Sequence, residues 1–215
     1  MPAKQRELLF PRGWGGRRER AGRPRGGRVS HRARARFEKP TPVHVTVRVR
    51  RHVWNLRSSR CYRRIGRCLE RACGRLGLRV IEYAVLGNHV HFIVEADSTG
   101  SLARGMQGLS IRIAKSLNAL MSSRGSVFAD HYHSQLLVTP TQVVNAIAYV
   151  LGNHQHHYGA AGRDAFSSMS LPARLRQSRL AMPISWLLII GWRKAARRSL
   201  ARLTQIGWRR YRALT

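Results

Sequence analysis

Acidic side chains are nearly missing from this chain: 9 Asp and Glu stand against 40 Lys and Arg, a formal net charge of +31. An imbalance of that size says little about fold but demands a polyanionic partner. Between residues 40 and 159 the only carboxylates are Glu70, Glu82, Glu95, Asp97 and Asp130. A two-metal hydrolytic nuclease, which needs a carboxylate cluster, is therefore poorly supplied. Lysine is scarce as well, confined to Lys4, Lys39, Lys115 and Lys194. The guanidinium fork that replaces it suits phosphates and base edges, which favours nucleic acid over a general anionic surface. A GC-rich gene would also trade Lys for Arg, yet it would not remove the acids. Cysteines number 3, with no C-x-x-C pair, so Cys61, Cys68 and Cys73 are expected to be free thiols in a reducing cytoplasm rather than a zinc site. Long apolar runs are absent too. The longest, Ile184 to Ile190, is too short to span a bilayer, and the N-terminus carries Arg and Gly where a signal peptide needs an apolar stretch. The expectation is a soluble, cytoplasmic chain with no membrane partner.

What is present divides into three parts. Residues 1–38 are Arg-Gly rich, as in Arg12-Gly13-Trp14-Gly15-Gly16-Arg17-Arg18, and have no apolar period. They are expected to be a disordered basic arm. Residues 39–159 carry the ordered pattern. Val43, Val45, Val47 and Val49 alternate with His44, Thr46, Arg48 and Arg50, the period of a strand with one apolar and one basic face. A helix follows over 59–76 with Ile65, Leu69, Ala72 and Leu76 on one side, closed by Gly77. Strands at 79–86 and 88–95 are joined tightly around Gly87-Asn88. A helix over 102–121, a short strand at 134–138 and a last helix opened by Thr139-Pro140 and ending near His156 complete the series. The order β-α-β-β-α-β-α predicts an α+β fold, a ferredoxin-like split antiparallel sheet with an appended C-terminal helix. Helices should cover the valine face and leave the face bearing Thr46, Arg48, His89 and His91 open or covered by something polar. Residues 160–215 read as a basic extension with a short amphipathic helix docking through Trp186 and Ile190; Trp208-Arg209-Arg210-Tyr211-Arg212 beyond it reads as a base-stacking or frayed end.

Two stretches carry chemistry. In Asn88-His89-Val90-His91-Phe92, alternation puts both imidazoles on one strand face, a half-site for a divalent metal. On the last helix Tyr149 and Asn153 are four residues apart and share a side with Gln142 and Asn145, opposite Val143, Val144, Ile147, Val150 and Leu151. Taken alone, that polar side is more simply a solvated surface than a catalytic one.

Together, Asn-His-Val-His-Phe and the downstream Ala148-Tyr149-Val150-Leu151-Gly152-Asn153 resemble the single-tyrosine HUH transposases, the insertion sequence 200-like family, and within it the REP-associated tyrosine transposases. The resemblance runs from Val43 to Tyr158. It implies cleavage and rejoining of single-stranded, hairpin-bearing DNA, with Tyr149 as nucleophile and His89, His91 and Asn153 holding Mg or Mn. Many relatives have Gln where Asn153 stands, and the REP-associated branch commonly has Pro after its Asn; here His154 follows, which makes Gln155 a substitute ligand. Three ligands suffice for Mg, which takes the rest from water and phosphate. A free phenol ionises near about 10, so such a nucleophile needs local activation. Attack would leave a 5′-phosphotyrosine and a free 3′-hydroxyl, conserving the bond energy for rejoining without ATP. The family includes dimers and monomers, so monomer or homodimer stays open, and a cytoplasmic, nucleoid-associated protein of bacterial type is expected.

Other residues compete for the same roles. Arg48, Arg50 and Thr46 on the first strand, and His131 and His133 before the last, are candidate nucleic-acid contacts. His131-Tyr132-His133 reads as a DNA-facing strand entrance rather than a second metal site. Tyr158 is a rival nucleophile without a partner four residues on, and Glu95 shares the histidine face but fits a strand end better than a ligand. The alternative function is a domesticated, non-catalytic nucleic-acid-binding module. A replication or mobilisation nuclease of the HUH type would want another histidine or a helicase partner domain.

Overall fold

The computed structural model describes residues 35–72, 74–159 and 162–205. The Arg-Gly arm over 1–34, Cys73 and the Trp208 to Arg212 segment lie outside the described residues.

Alternation of valines makes β1 (Thr41–Arg48), which sits second from one edge of a four-stranded sheet. After α1 (Ser59–Ala72) come β2 (Leu78–Val85) and β3 (His89–Ala96), then α2 (Thr99–Met121), β4 (His133–Leu136) and α3 (Pro140–Tyr158). The strand order is β2-β3-β1-β4, every neighbouring pair antiparallel. This is the split β-α-β arrangement expected, with α3 appended.

Helix α1 ends sooner than its apolar period suggests. Leu76 lies beyond it, 60% exposed with φ of 57°, inside a turn that also takes Gly74 and Gly77 to positive φ. Three such residues in four break the helix before Leu76 can reach the core. Helix α2 begins three residues earlier than expected, because the Ser98 hydroxyl accepts from the Ser101 N–H and caps it. Helix α3 carries a full capping box: Thr139 accepts from the Gln142 N–H and the Gln142 side chain reaches back. Gln142 is therefore spent on the cap. The helix also runs to Tyr158, with Gly159 in the left-handed region behind it.

One layer of core lies between the valine face and α1 and α2, with Val43, Val45, Phe92, Ile65, Leu69 and Met106 buried. The opposite face is not open along its length, contrary to expectation. Val143, Val144, Ile147, Val150 and Leu151 of α3 bury against Ile81, Ala84 and Ile93. A register shift between Val80 and Glu82 makes this possible, since the extra residue Ile81 turns to the α3 side while Val80 and Tyr83 both stay on the other. Near His89 and His91 the apolar stripe of α3 gives way to Tyr149, His157 and Tyr158, which leave a cleft there.

The C-terminal extension wraps the same body. It borders the free edge of β2 through the Val85 N–H to Phe166 O and Ala181 N–H to Val80 O hydrogen bonds, which blunts that edge. Helices α4 (Ala173–Arg179), α5 (Trp186–Ile189) and α6 (Arg197–Gln205) follow. The contact of α5 is made by Leu188, fully buried, whereas Trp186 and Ile190 are 51% and 46% exposed. The expected docking pair thus faces outward; one helical turn is too short for the assumed amphipathic period to hold. Glu95 anchors this segment: its carboxylate accepts from the Ile184 and Ser185 N–H groups and the Ser185 hydroxyl and pairs with Arg79.

Candidate active site

The pairing of β1 with β3 puts Arg48 opposite His89 and Thr46 opposite His91. A cleft of about 730 Å³ opens there. Its wall is formed by Thr46, Arg48, His89 and His91 from the sheet, and by Tyr149, His157 and Tyr158 from α3. The Gly87-Asn88 turn and Asn55 close one side.

Tyr149 is 46% exposed, and its ring meets His91 and His44 edge-on at centroid distances of 5.4 and 5.8 Å. His89 and His91 are 4.8 Å apart. The two imidazoles differ in environment. His89 Nδ1 lies 2.7 Å from Asn88 Oδ1, an acceptor, which assigns the proton to Nδ1 and leaves Nε2 its lone pair. His91 is 4% exposed, with Nδ1 3.1 Å from His44 Nε2 and 3.0 Å from Thr46 Oγ1. Its Nε2 is buried without a hydrogen-bond partner. Burial, then the neighbouring His44, His89 and His157, lowers the His91 pKa to about 3. Burial and His133 lower that of His44 to about 4, and His89 is lowered by burial, His157 and Arg48. All three imidazoles are held toward the neutral form, the form that ligates metals.

The remaining residues distribute unevenly. Asn153 is 1% exposed with an unpartnered Nδ2, and it does not line the cleft; His157, one turn further on, does, 5.6 Å from the His89 ring. Tyr149 and Asn153, four residues apart on α3, differ in exposure: Tyr149 lines the cleft, whereas Asn153 is buried. Gln155 is exposed. Arg50 and His131 are exposed outside the cleft, Arg50 donating to Phe128 O. His133 pairs across from Thr46 and so edges the site. The Tyr158 hydroxyl accepts from the Gly87 N–H while Arg57 stacks on its ring at 4.7 Å. Glu95 is taken up by the extension, as described. Sequence reasoning missed His44 and His157 as members of the site. The alternation of β1 put His44 on the right face, but only the register with β3 brings it to His91.

A family model described as "Transposase IS200 like" matches residues 41–152, just over half of the chain. A solved structure of a REP-associated tyrosine transposase bound to a REP hairpin is similar with a TM-score of 0.53 at 15% identity, covering 73% of this chain and 94% of that one. A crystal structure assigned as a transposase from Deinococcus radiodurans R1 scores 0.39 at 11% identity, covering 54% of this chain and 90% of that one. No match was found among curated proteins. At 15% identity the likeness to the REP-associated transposase speaks to the fold, and the matched family model speaks to descent: the chain belongs to the IS200-like transposase family.

Proposed function

We propose that this transposase cleaves and rejoins single-stranded, hairpin-bearing DNA through a covalent 5′-phosphotyrosine on Tyr149, with Mg or Mn held by His89, His91 and Asn153. The observation that carries the reading is the packing of Tyr149 against His91, whose buried Nε2 lacks a partner. A nitrogen so placed, with its Nδ1 already engaged, fits a divalent cation. Asn153 is orphaned in the same way, and exchange of its amide O and N supplies an oxygen ligand. Among the described residues no group of three His, Cys, Asp or Glu side chains is arranged to hold a metal. The amide, water and phosphate oxygens would therefore complete the ligand set, as Mg tolerates. When bound, the metal polarises the scissile phosphate and offsets transition-state charge.

The chain's own residues supply the rest. Arg48, exposed at the rim beside His89, steers the phosphate in, with His133 and Thr46 along the same edge. Tyr149 then gives up its phenolic proton to solvent in the open cleft and bonds to phosphorus; the bond from phosphorus to the 3′ oxygen breaks, and that oxygen takes up a proton from solvent. His44 and His91 are poor candidates for holding that proton, because imidazoles titrating at about 4 and about 3 release it readily at neutral pH. They orient instead. Rejoining reverses the steps with a different 3′-hydroxyl.

The thin ligand set also favours a second reading, a domesticated module that binds nucleic acid without cutting it. Incubating the chain with end-labelled single-stranded hairpins and Mn or Mg separates the two on a denaturing gel. A metal-dependent protein–DNA adduct that Tyr149→Phe abolishes supports strand transfer. Binding with no adduct under either metal supports the module.

A further inference from the structure

Beside the cleft, the loop after β1 leaves one large aromatic uncovered. Val53 and Leu56 are buried at 8% and 1%, yet Trp54 between them is 42% exposed. The loop that holds it is fixed. The Leu56 N–H donates to Gly87 O and the Val49 N–H to Asn88 O, tying both ends to the turn that precedes His89. Asn55, the next residue, lines the cleft itself. Trp54 is thus fixed by its neighbours and by its backbone N–H, which donates to Met121 Sδ, while its side chain stays part exposed one residue from the cleft.

Its surroundings are strongly basic. From Val49 to Tyr62 the chain carries Arg50, Arg51, Arg57 and Arg60 and no acid. Arg57 pairs with Asp164, but among the described residues Arg50, Arg51 and Arg60 form no ion pair. The Arg60 guanidinium lies 5.3 Å from the Trp54 ring. An exposed indole next to unneutralised guanidinium groups, on a rigid loop one residue from a nucleic-acid cleft, has the chemistry of a base-stacking platform. The charge excludes most protein partners of like sign and selects a polyanion, and the ring selects one with unpaired bases. Fixing the ring beforehand also reduces the ordering cost of binding.

We infer that Trp54, flanked by Arg60, stacks an unpaired base of the DNA strand as it leaves the cleft past Asn55. The inference rests on the single-stranded DNA reading above and adds a substrate contact outside the histidine–tyrosine site.

The test uses the full chain and a fluorescein-labelled DNA hairpin with single-stranded thymidine arms, read by anisotropy. Trp54→Ala should bind about tenfold more weakly, and Trp54→Phe should keep most of the affinity. An abasic site stepped along the arm should cost the wild type a similar factor at one position and cost Trp54→Ala nothing there. Arg60→Ala should lower the salt slope by about one, whereas Trp54→Ala leaves it unchanged. A photoreactive iodouridine at that arm position should crosslink to Trp54 in the unaltered protein, which needs no variant to fold. If the wild type binds but Trp54→Ala matches it at every position and no crosslink maps to Trp54, the platform is overturned and the DNA reading stands. If the wild type does not bind, the DNA reading fails and the platform with it.

Discussion

The interaction between His44 and His91 decides how the site is held at the level of single residues. Two groups, His44 and Thr46, meet His91 Nδ1, and neither touches the buried Nε2 on the far side of that ring. Removing a partner that fixes a ligand's tautomer typically weakens metal affinity by about 10–100-fold. His44→Ala should therefore weaken Mn binding by that factor in calorimetry, while the wild-type fold is retained in circular dichroism. Undiminished binding would show that Thr46 alone orients the ring. The same residues predict an acid-labile fold. In the unfolded chain both imidazoles titrate near 6.5, but folded His44 and His91 wait until about 4 and about 3. Between those values the unfolded state holds more protons, so the metal-free protein loses stability as pH falls from 6.5 toward 4. A thermal melt series should show that decline, and His91→Gln should flatten it; an equal slope in the variant would place the acid sensitivity elsewhere.

At the scale of elements, the end of α3 is fastened through the extension rather than through the sheet alone. Arg57 donates to both Asp164 oxygens at 2.8 and 2.9 Å and to Val85 O, and stacks on Tyr158 and Phe166. Asp164 is 4% exposed and the Arg57 side chain 19%, so removing the carboxylate strands a largely buried guanidinium. Asp164→Ala should cost about 3 kcal/mol in denaturant unfolding, and a change below about 0.5 kcal/mol would mean that ring stacking carries the joint. The elements themselves were legible because their periods are unambiguous: alternating valines in β1, a Thr-Pro cap opening α3. What the sequence hid were features set by contact between distant segments. The burial of the second sheet face under α3 brings Ile81 and Ala84 against residues more than fifty positions away, and the register shift at Ile81 leaves no mark in the local alternation. Likewise the His-x-His pair and Tyr149 could be singled out from local spacing, whereas His44 and His157 became site members only through strand register and helix length.

At the scale of the whole molecule the chain carries a strongly positive charge, +31 over 215 residues. Most of its affinity for DNA should therefore come from counterion release and fall steeply with salt. Anisotropy titrations between low and physiological salt should give a linear log–log slope equivalent to several phosphates, and a flat response would argue against a backbone-dominated interface. Charge alone does not make a transposase, since a binding module would show the same slope. The central claim is chemical, and it concerns one atom. Mass spectrometry of peptides from a reaction of the chain with single-stranded hairpin DNA and Mn tests it directly. The account predicts a nucleotide covalently linked through phosphate to the peptide containing Tyr149, absent when the metal is chelated. A link at Tyr158, or no linked peptide while binding persists, would contradict it.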